Sequence, residues 1–517
     1  MSSHLSSHFR IFGIVTSILF RLPVISRIKY RRSVSTQSDR YQTPVLLLCS
    51  SLLITSCAMG PDYSRPQVDA AEKFRLSQTE GQSIANLPWW ELLQDEKLQL
   101  LIDQALVENK DLKQAAASVE ELQARLGIAR MDFIPNLTVE GNAPIDTLGG
   151  FSRKGFPTPY NYYGQSILNW EVDIWGRIRR ANEAARADLL AREENRRAVV
   201  LTLVSSVAQS YFDLLQFDTQ LEIARNALTS WEESVVISRA QLEGGLATRL
   251  DLDQFEAERA AAAAQVAELE RQIAQKENEL SVLTGRTPAP IARGYSLSGQ
   301  STPLTIPPGL PSELLQRRPD ILQSEQTLKA AIARIGVAKA TRFPRITLTG
   351  FFGFSSPGLS SLLDSDSKFG TAGFGIAGPL LNAQTLGYEQ RAAEAQAKQA
   401  LAQYEQTILV AFREVEDALA AIRTANDQYH AKQKQVEALG SALQIADLRY
   451  QGGITSYVDV LLTKRKLFDA ESALVAARHL HLVSVVQLYK ALGGGWITDG
   501  VDADVPLPIS TGLLHNH

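Results

Sequence analysis

A twelve-residue segment that occurs twice constrains this chain more than any other feature. Gln241–Leu252 reads QLEGGLATRLDL and Arg449–Val460 reads RYQGGITSYVDV. Each copy is a Gly-Gly pair followed, after a short variable stretch, by an Asp between two aliphatic residues. Paired glycines suit a helix C-terminus because one of them can take the left-handed backbone. Thr248 or Ser456, with Asp251 or Asp459 three residues on, is a helix-start signature. Each copy therefore reads as a sharp hairpin between two helices, turning on Gly244 and Gly245 or on Gly452 and Gly453. The copies lie 208 residues apart, and Asp111, Gly127, Pro135 and Gly141 match Asp320, Gly336, Pro344 and Gly350 at an offset of 209. The chain is one unit duplicated, in the order helix, strand pair, long helix, hairpin, helix.

Composition narrows the function. A net charge of −4 gives no reason to expect nucleic acid. Seven His, three Met and two Cys are too few and too scattered for a metal relay. No Ser/His/Asp grouping, phosphate loop or CxxC is present, so neither an enzyme nor a cofactor is expected. Mean hydropathy of −0.09 with abundant Ala, Gln and Glu fits long solvated helices.

The N-terminus reads as an export signal. Arg31, Arg32 and Arg40 precede the apolar run Val45–Thr55. Ile54-Thr55-Ser56-Cys57 fits the bacterial lipobox, in which the Cys is lipidated and becomes the first mature residue; an ordinary signal peptide with an incidental Cys is the alternative. Cys49 follows Leu48 and does not fit. Once residues 1–56 are removed, Cys57 is the sole cysteine, which precludes an intrachain disulfide. Ala58, where an Asp would favour retention at the inner membrane, implies the outer membrane.

Period-two patterning marks the strands. Leu137, Val139 and Gly141 alternate with Thr138, Glu140 and Asn142, and Leu168, Trp170, Val172 and Ile174 alternate with Asn169, Glu171 and Asp173. Ile346, Leu348, Phe352 and Phe354 make one face of a third strand, and Ala372, Phe374 and Ile376 of a fourth. One apolar and one polar face suits a membrane β-barrel, although a sheet on a soluble core would alternate too. Eight strands are about the fewest that close a barrel, so four must be completed by other chains. Ala181–Leu242 and Tyr388–Tyr450 are long helices of about 62 and 63 residues, roughly 90 Å each. The shorter runs are Leu98–Phe133, Leu250–Leu283, Ser312–Thr341 and Tyr457–Leu492. The two middle runs are expected to stack on each other, as are the two end runs, each pair matching one long helix. No continuous apolar run after Cys57 is long enough for a transmembrane helix.

Four further motifs carry a resemblance. Cys57 followed by Gly60-Pro61-Asp62-Tyr63 and Pro66, the block Trp170–Arg177 (WEVDIWGR), RRPDI at Arg317–Ile321 running on to Phe343-Pro344, and LYKALGGGW at Leu488–Trp496 occur in order. Together they resemble the outer membrane efflux channels, the TolC-like lipoproteins of tripartite pumps. The resemblance implies a mainly α fold with a membrane β-barrel portion. It also implies a homotrimer with a twelve-stranded barrel, four strands per chain, on a long helical periplasmic cylinder. On this reading 1–56 is signal, 57–97 a lipidated extended segment, 98–284 the first repeat, 285–311 an equatorial linker, 312–497 the second repeat and 498–517 a tail. Loops 144–161 and 355–370 would face outside.

The family closes its channel at the hairpin tips with rings of Asp, Tyr and Arg. By motif position Arg449, Tyr450 and Arg465 match those residues, whereas Leu462 stands where an Asp is frequent. Asp459 lies about one turn away, and Arg249, Asp251 and Asp253 are the neighbours in the first repeat. Asp251 and Asp459 also fit simple helix capping. Gly244, Gly245, Gly452 and Gly453 form the turns at which an adaptor would dock. The implied partners are a periplasmic adaptor, an inner-membrane RND-type transporter and outer-membrane lipid. The implied function is efflux of drugs or other small toxic compounds. The alternatives are metal-ion efflux, type I protein secretion and, more remotely, a structural envelope protein.

Overall fold

The computed structural model describes residues 58–67, 73–76, 83–143, 162–300, 309, 311–379 and 382–494. These belong to the unit Cys57–His517. Cys57, the signal 1–56, the loop 144–161 and the tail 498–517 lie outside the described residues.

The duplication is visible as two runs of equivalent elements. The first has α1 (Glu96–Glu108), α2 (Lys110–Met131), β1 (Asn136–Asn142), β2 (Tyr162–Val172), α3 (Arg177–Glu243) and α4 (Arg249–Leu283). The second has α5 (Pro311–Arg317), α6 (Pro319–Ala340), β3 (Arg345–Ser356), β4 (Lys368–Ala377), α7 (Ala383–Gln451) and α8 (Tyr457–Ala491). Helices α2 and α6 are both 22 residues long, and α4 and α8 are both 35. The long helices α3 and α7 have 67 and 69 residues, roughly 100 Å at 1.5 Å per residue.

Two expected helices are each broken once, at equivalent positions. The run expected over Leu98–Phe133 stops at Asn109, which is extended (φ −57°, ψ 133°). Its buried side chain accepts from Leu112 N at 3.0 Å and donates to Leu283 O at 2.9 Å. The run expected over Ser312–Thr341 stops at Arg318 (φ −71°, ψ 122°), just before Pro319 at the first helical position. Arg318 Nη1 donates to Ala491 O at 2.8 Å, and the guanidinium pairs with Asp320 and Glu414.

These joints overturn the expected stacking. Asn109 sets the start of α2 against the last residue of α4, and Arg318 sets the start of α6 against the last residue of α8. Short helices thus stack within each repeat, not middle on middle and end on end. A left-handed glycine closes each joint: Gly285 (φ 73°) against Glu108, and Gly493 (φ 74°) against Arg318. A Cβ on Gly285 would stand 2.4 Å from Glu108 O, so no other residue fits there.

The main core lies at this level, around Leu98, Ile102, Tyr211, Leu214, Leu280 and Leu488. Residues 285–300 of the linker are tied to it through Asp95. That carboxylate caps α1 at Lys97 N and Leu98 N, and it also accepts from Tyr211, Tyr295 N and Gln300. Within α3, one 18-residue window has a mean hydropathy of 1.5, enough by composition to cross a membrane, against the expectation of none after Cys57. Of that window 67% is buried inside the fold, and Val200–Leu215 lines the core, so its apolar character is explained by helix packing.

The strands form one antiparallel sheet in the order β1-β2-β3-β4. Leu137 pairs with Leu168, Trp170 with Leu348, Leu348 with Phe374 and Ile346 with Ile376, so the register gathers the apolar sets on one face. Leu137, Val139, Phe352, Phe374 and Ile376 are all exposed in the single chain. Strand β2 ends at Val172, short of the expected Ile174, because Asp173 turns to cap α3 through Ile178 N and Arg179 N. Strands β3 and β4 extend into the expected loop, leaving two short helical turns, Leu359–Ser361 and Ser365–Ser367, between them.

Candidate functional site

Both hairpins stop their first helix in the same way. In the first, Gly244 N, Gly245 N and Leu246 N donate to Ala240 O, Leu242 O and Gln241 O at 3.0, 3.1 and 2.7 Å. In the second, Gly452 N, Gly453 N and Ile454 N donate to Leu448 O, Tyr450 O and Arg449 O at 3.0, 2.9 and 2.9 Å. This nested pair of reversed bonds needs a left-handed residue, supplied by Gly245 (φ 72°) and Gly453 (φ 69°). No atom lies within 4 Å of where a Cβ would stand on either glycine, so the constraint is backbone conformation rather than space. The apolar residue that follows, Leu246 or Ile454, is 84% or 69% exposed.

The restart of the second helix differs. Thr248 and Asp251 form the reciprocal capping box expected of them: Asp251 N donates to Thr248 Oγ1, and Asp251 Oδ2 accepts from Thr248 N at 2.8 Å. The Thr248 hydroxyl and then its backbone N–H hold the Asp251 carboxyl below the usual range. The second hairpin departs from the shared signature, because the Ser456 side chain makes no cap bond. Asp459 instead accepts from the Thr455 hydroxyl.

The other tip residues fall into separate groups. Arg249 pairs with Asp253 at 2.9 Å on its own helix. Arg465 reaches Glu258 on α4 at 3.6 Å and is not paired with Asp459. Arg449 has no partner for its side chain among the described residues. Tyr450 bridges the two hairpins: Gln241 Nε2 donates to its hydroxyl at 2.8 Å, and its ring meets Tyr457 edge-on at 4.6 Å. Leu462, at the position where the resemblance would lead to an acid, is exposed on α8.

Sequence reasoning missed the residues that hold these groups together. Tyr457 also packs edge-on against Phe255 at 4.7 Å, and its hydroxyl bonds Ser234 at 3.1 Å. Lys464 reaches Ser230 at 3.1 Å and lies over the Trp231 ring. Trp231, Val235, Leu252, Phe255 and Leu461 form a small core of their own just behind the turns. Trp231 and Val235 at helical spacing were the available signal, but pairing across hairpins is invisible to spacing alone.

The motifs of the resemblance are mostly joints. Arg177 makes a two-pronged bond to Glu171, Trp175 Nε1 donates to Pro344 O, and the Trp175 ring stacks on Phe343. Here the N-terminal segment is pinned: Met59 N donates to Trp175 O at 3.0 Å, and the buried Arg180 binds Met59 O and Asp62. Gly60 passes so close to Gly336 that a Cβ would stand 2.5 Å from its Cα. Ala58 is therefore held where the strands meet the helices. Among the described residues no group of three or more His, Cys, Asp or Glu is placed to hold a metal ion.

Comparison with known proteins agrees with this architecture. The model of the outer membrane efflux protein family matches residues 101–286 and 310–494, two segments in the same relation as the two repeats. The cation efflux system protein CusC of Escherichia coli is 34% identical over 457 residues, covering 87% of this chain and 98% of that protein. The toluene efflux pump outer membrane protein TtgC of Pseudomonas putida is 32% identical, covering 90% and 98%. The open state of the Neisseria gonorrhoeae MtrE outer membrane channel superposes with a TM-score of 0.77 at 32% identity, over 85% of this chain and 98% of that one. The duplicated unit, its paired hairpins and these matches lead to one conclusion: the chain belongs to the outer membrane efflux protein family, transport proteins of the outer membrane rather than enzymes.

Proposed function

We infer that the chain is one third of a trimeric exit duct, with four strands from each copy closing a twelve-stranded barrel and the helices forming a periplasmic conduit. The observation that carries this is the open sheet. Among the described residues β1 and β4 each pair on one side only, and one of the two faces of the sheet exposes Leu137, Val139, Phe352, Phe374 and Ile376. Unpaired strand edges cannot face hydrocarbon, so other copies must supply the missing neighbours. The hairpins then form the periplasmic end, where a periplasmic adaptor and an inner-membrane RND-type transporter engage. Cys57 is the lipid attachment point, next to the pinned Ala58. Residues 98–284 and 312–497 are the two repeats, joined by the linker 285–311.

The exported class is drugs or other small toxic organic compounds, in line with the toluene pump relative. Metal-ion efflux is the second reading, favoured by the name of the cation efflux relative. Met59 and Met131 are the only described methionines and stand far apart in sequence, which supports the organic class.

The mass of the purified protein in detergent and its conductance in a planar bilayer test the duct. A trimer that conducts is expected; a monomer, or a trimer that never conducts, would overturn the reading. Phe352→Arg on the apolar face should cost about 2–4 kcal/mol near the membrane midplane. Thr347→Arg on the other face should leave assembly intact and change conductance.

A further inference from the structure

The polar face of the sheet has an apolar exception. The register puts Asn136, Asn169 and Thr349 on this face, with Glu171 and Thr347 one row nearer the helices. The next row outward runs Thr138, Ile167, Phe351 and Thr371. The row beyond it runs Glu140, Gln165, Gly353 and Phe369. Ile167 stands directly opposite Phe351, and the Phe351 and Phe369 rings lie 5.7 Å apart, tilted by 53°. Period-two alternation leads one to expect polar residues at all three positions, and Phe351 is 39% exposed. Phe369 has a structural use, since it crosses from Gly353 and can cover that glycine. That use does not extend to Phe351 and Ile167.

We propose that Ile167, Phe351 and Phe369 form a contact site on the lumenal wall, about midway along β2 and β3, for aromatic cations in transit. The proposal rests on the exit-duct reading, which makes this face the lumen. Twelve strands 4.8 Å apart and tilted by about 40° give a barrel roughly 24 Å across between backbones. Three copies, one per chain, sit a third of the circumference apart and are too distant to close on one another. A passing solute is the occupant that reaches each of them. Two aromatic faces and an aliphatic side chain favour a flat apolar ring over a hydrated ion. Glu140, one row away and accepting from Gln165 Nε2 at 3.3 Å, supplies negative charge beside the patch. A stack of modest strength suits a conduit, because a solute must leave as readily as it arrives.

Ethidium, added to the full-length trimer in lipid nanodiscs and read by fluorescence anisotropy against protein-free discs, is the test. Wild type should bind saturably, and Phe351→Ser or Phe369→Ser should weaken binding at least fivefold. Phe374→Leu, on the opposite face, should leave it unchanged. If Phe351→Ser does not assemble, Phe351→Leu keeps the bulk without the ring and should still weaken binding severalfold. Equal binding by wild type and the assembled Phe351 variant, or no saturable binding, would overturn the site. Potassium chloride conductance of the same preparation separates the two claims. A conducting trimer without ethidium binding loses only this site, whereas a trimer that never conducts loses the duct and the site with it.

Discussion

The two hairpins stop their helices identically and restart them differently. The stop is a backbone device, a last helical bond and two reversed ones around a left-handed glycine, and both copies keep all three. The restart is a side-chain device. In the first hairpin Thr248 and Asp251 satisfy each other, while in the second Asp459 turns to Thr455 and Tyr450 reaches across to Gln241. The equatorial joints show the same division. Asn109 and Arg318 each donate to the last carbonyl of a returning helix, one with a neutral amide and the other with a buried guanidinium that gathers Asp320 and Glu414. Duplication preserved the geometry of bends and joints and left their side-chain chemistry free to diverge. The first hairpin is thereby locked by its own residues, and the second carries the contacts that span between hairpins.

The joints give the largest expected contrast. Arg318→Ala should cost the proposed trimer about 2–4 kcal/mol of stability, because it leaves the Ala491 carbonyl and two carboxylates without their partner. Those carboxylates are part-exposed, which keeps the cost below that of a fully buried pair. Asn109→Ala, which loses a neutral cap and one bond to Leu283, should cost about 1–2 kcal/mol. Equal losses in chaotrope-induced trimer dissociation would erase the distinction between the joints.

The glycines come next, and here the copies should behave alike. Gly245→Ala and Gly453→Ala each force a Cβ into left-handed backbone at about 1–2 kcal/mol. Unequal shifts in thermal dissociation would mean that the two stops are not equivalent. The smallest effect separates the restarts. Thr248→Ala should cost about 1 kcal/mol through the lost cap, and Ser456→Ala less than about 0.5 kcal/mol, as for an exposed residue without a special role.

The Asp251 carboxyl adds a pH signature of fixed sign. Its folded pKa is depressed by the Thr248 hydroxyl and backbone N–H. Its contribution is therefore present above the ordinary Asp value, about 3.9, and lost as pH falls through the lower folded value. Asp251→Asn should remove that acid-side dependence, measured as trimer dissociation between neutral pH and about pH 3. A wild-type profile retained in the variant would contradict it.

Much of this was legible in the sequence because repetition and local chemistry are local signals. The Gly-Gly turns, the Thr248–Asp251 box and the alternating strands follow from a few adjacent residues each. The break at Arg318 was also visible, since Pro319 in the RRPDI motif excludes an uninterrupted helix start, yet periodicity alone carried the helix through it. Asn109 gave less warning, because an Asn within helical periodicity looks tolerated until its carbonyl partner, 174 residues away, is known. Asp95 is similar: three of its bonds reach residues 116, 200 and 205 positions away. At the tip, charge and motif position pointed to Arg449, Tyr450, Asp459 and Arg465, but only the folded chain distinguishes Tyr450, which bridges hairpins, from Asp459, which stays local.

We propose that contacts of the second hairpin hold the resting duct narrow at its periplasmic end. Hydrogen bonds of Tyr450 and the charge of Asp459 recur three times around the axis of a trimer, so a modest term per chain is multiplied. Single-channel conductance of the Tyr450→Phe, Asp459→Ala double variant, with trimer content checked on the same preparation, tests this most directly. The double variant should conduct more than wild type. An assembled trimer with unchanged conductance would contradict it and return both residues to shaping their own hairpin.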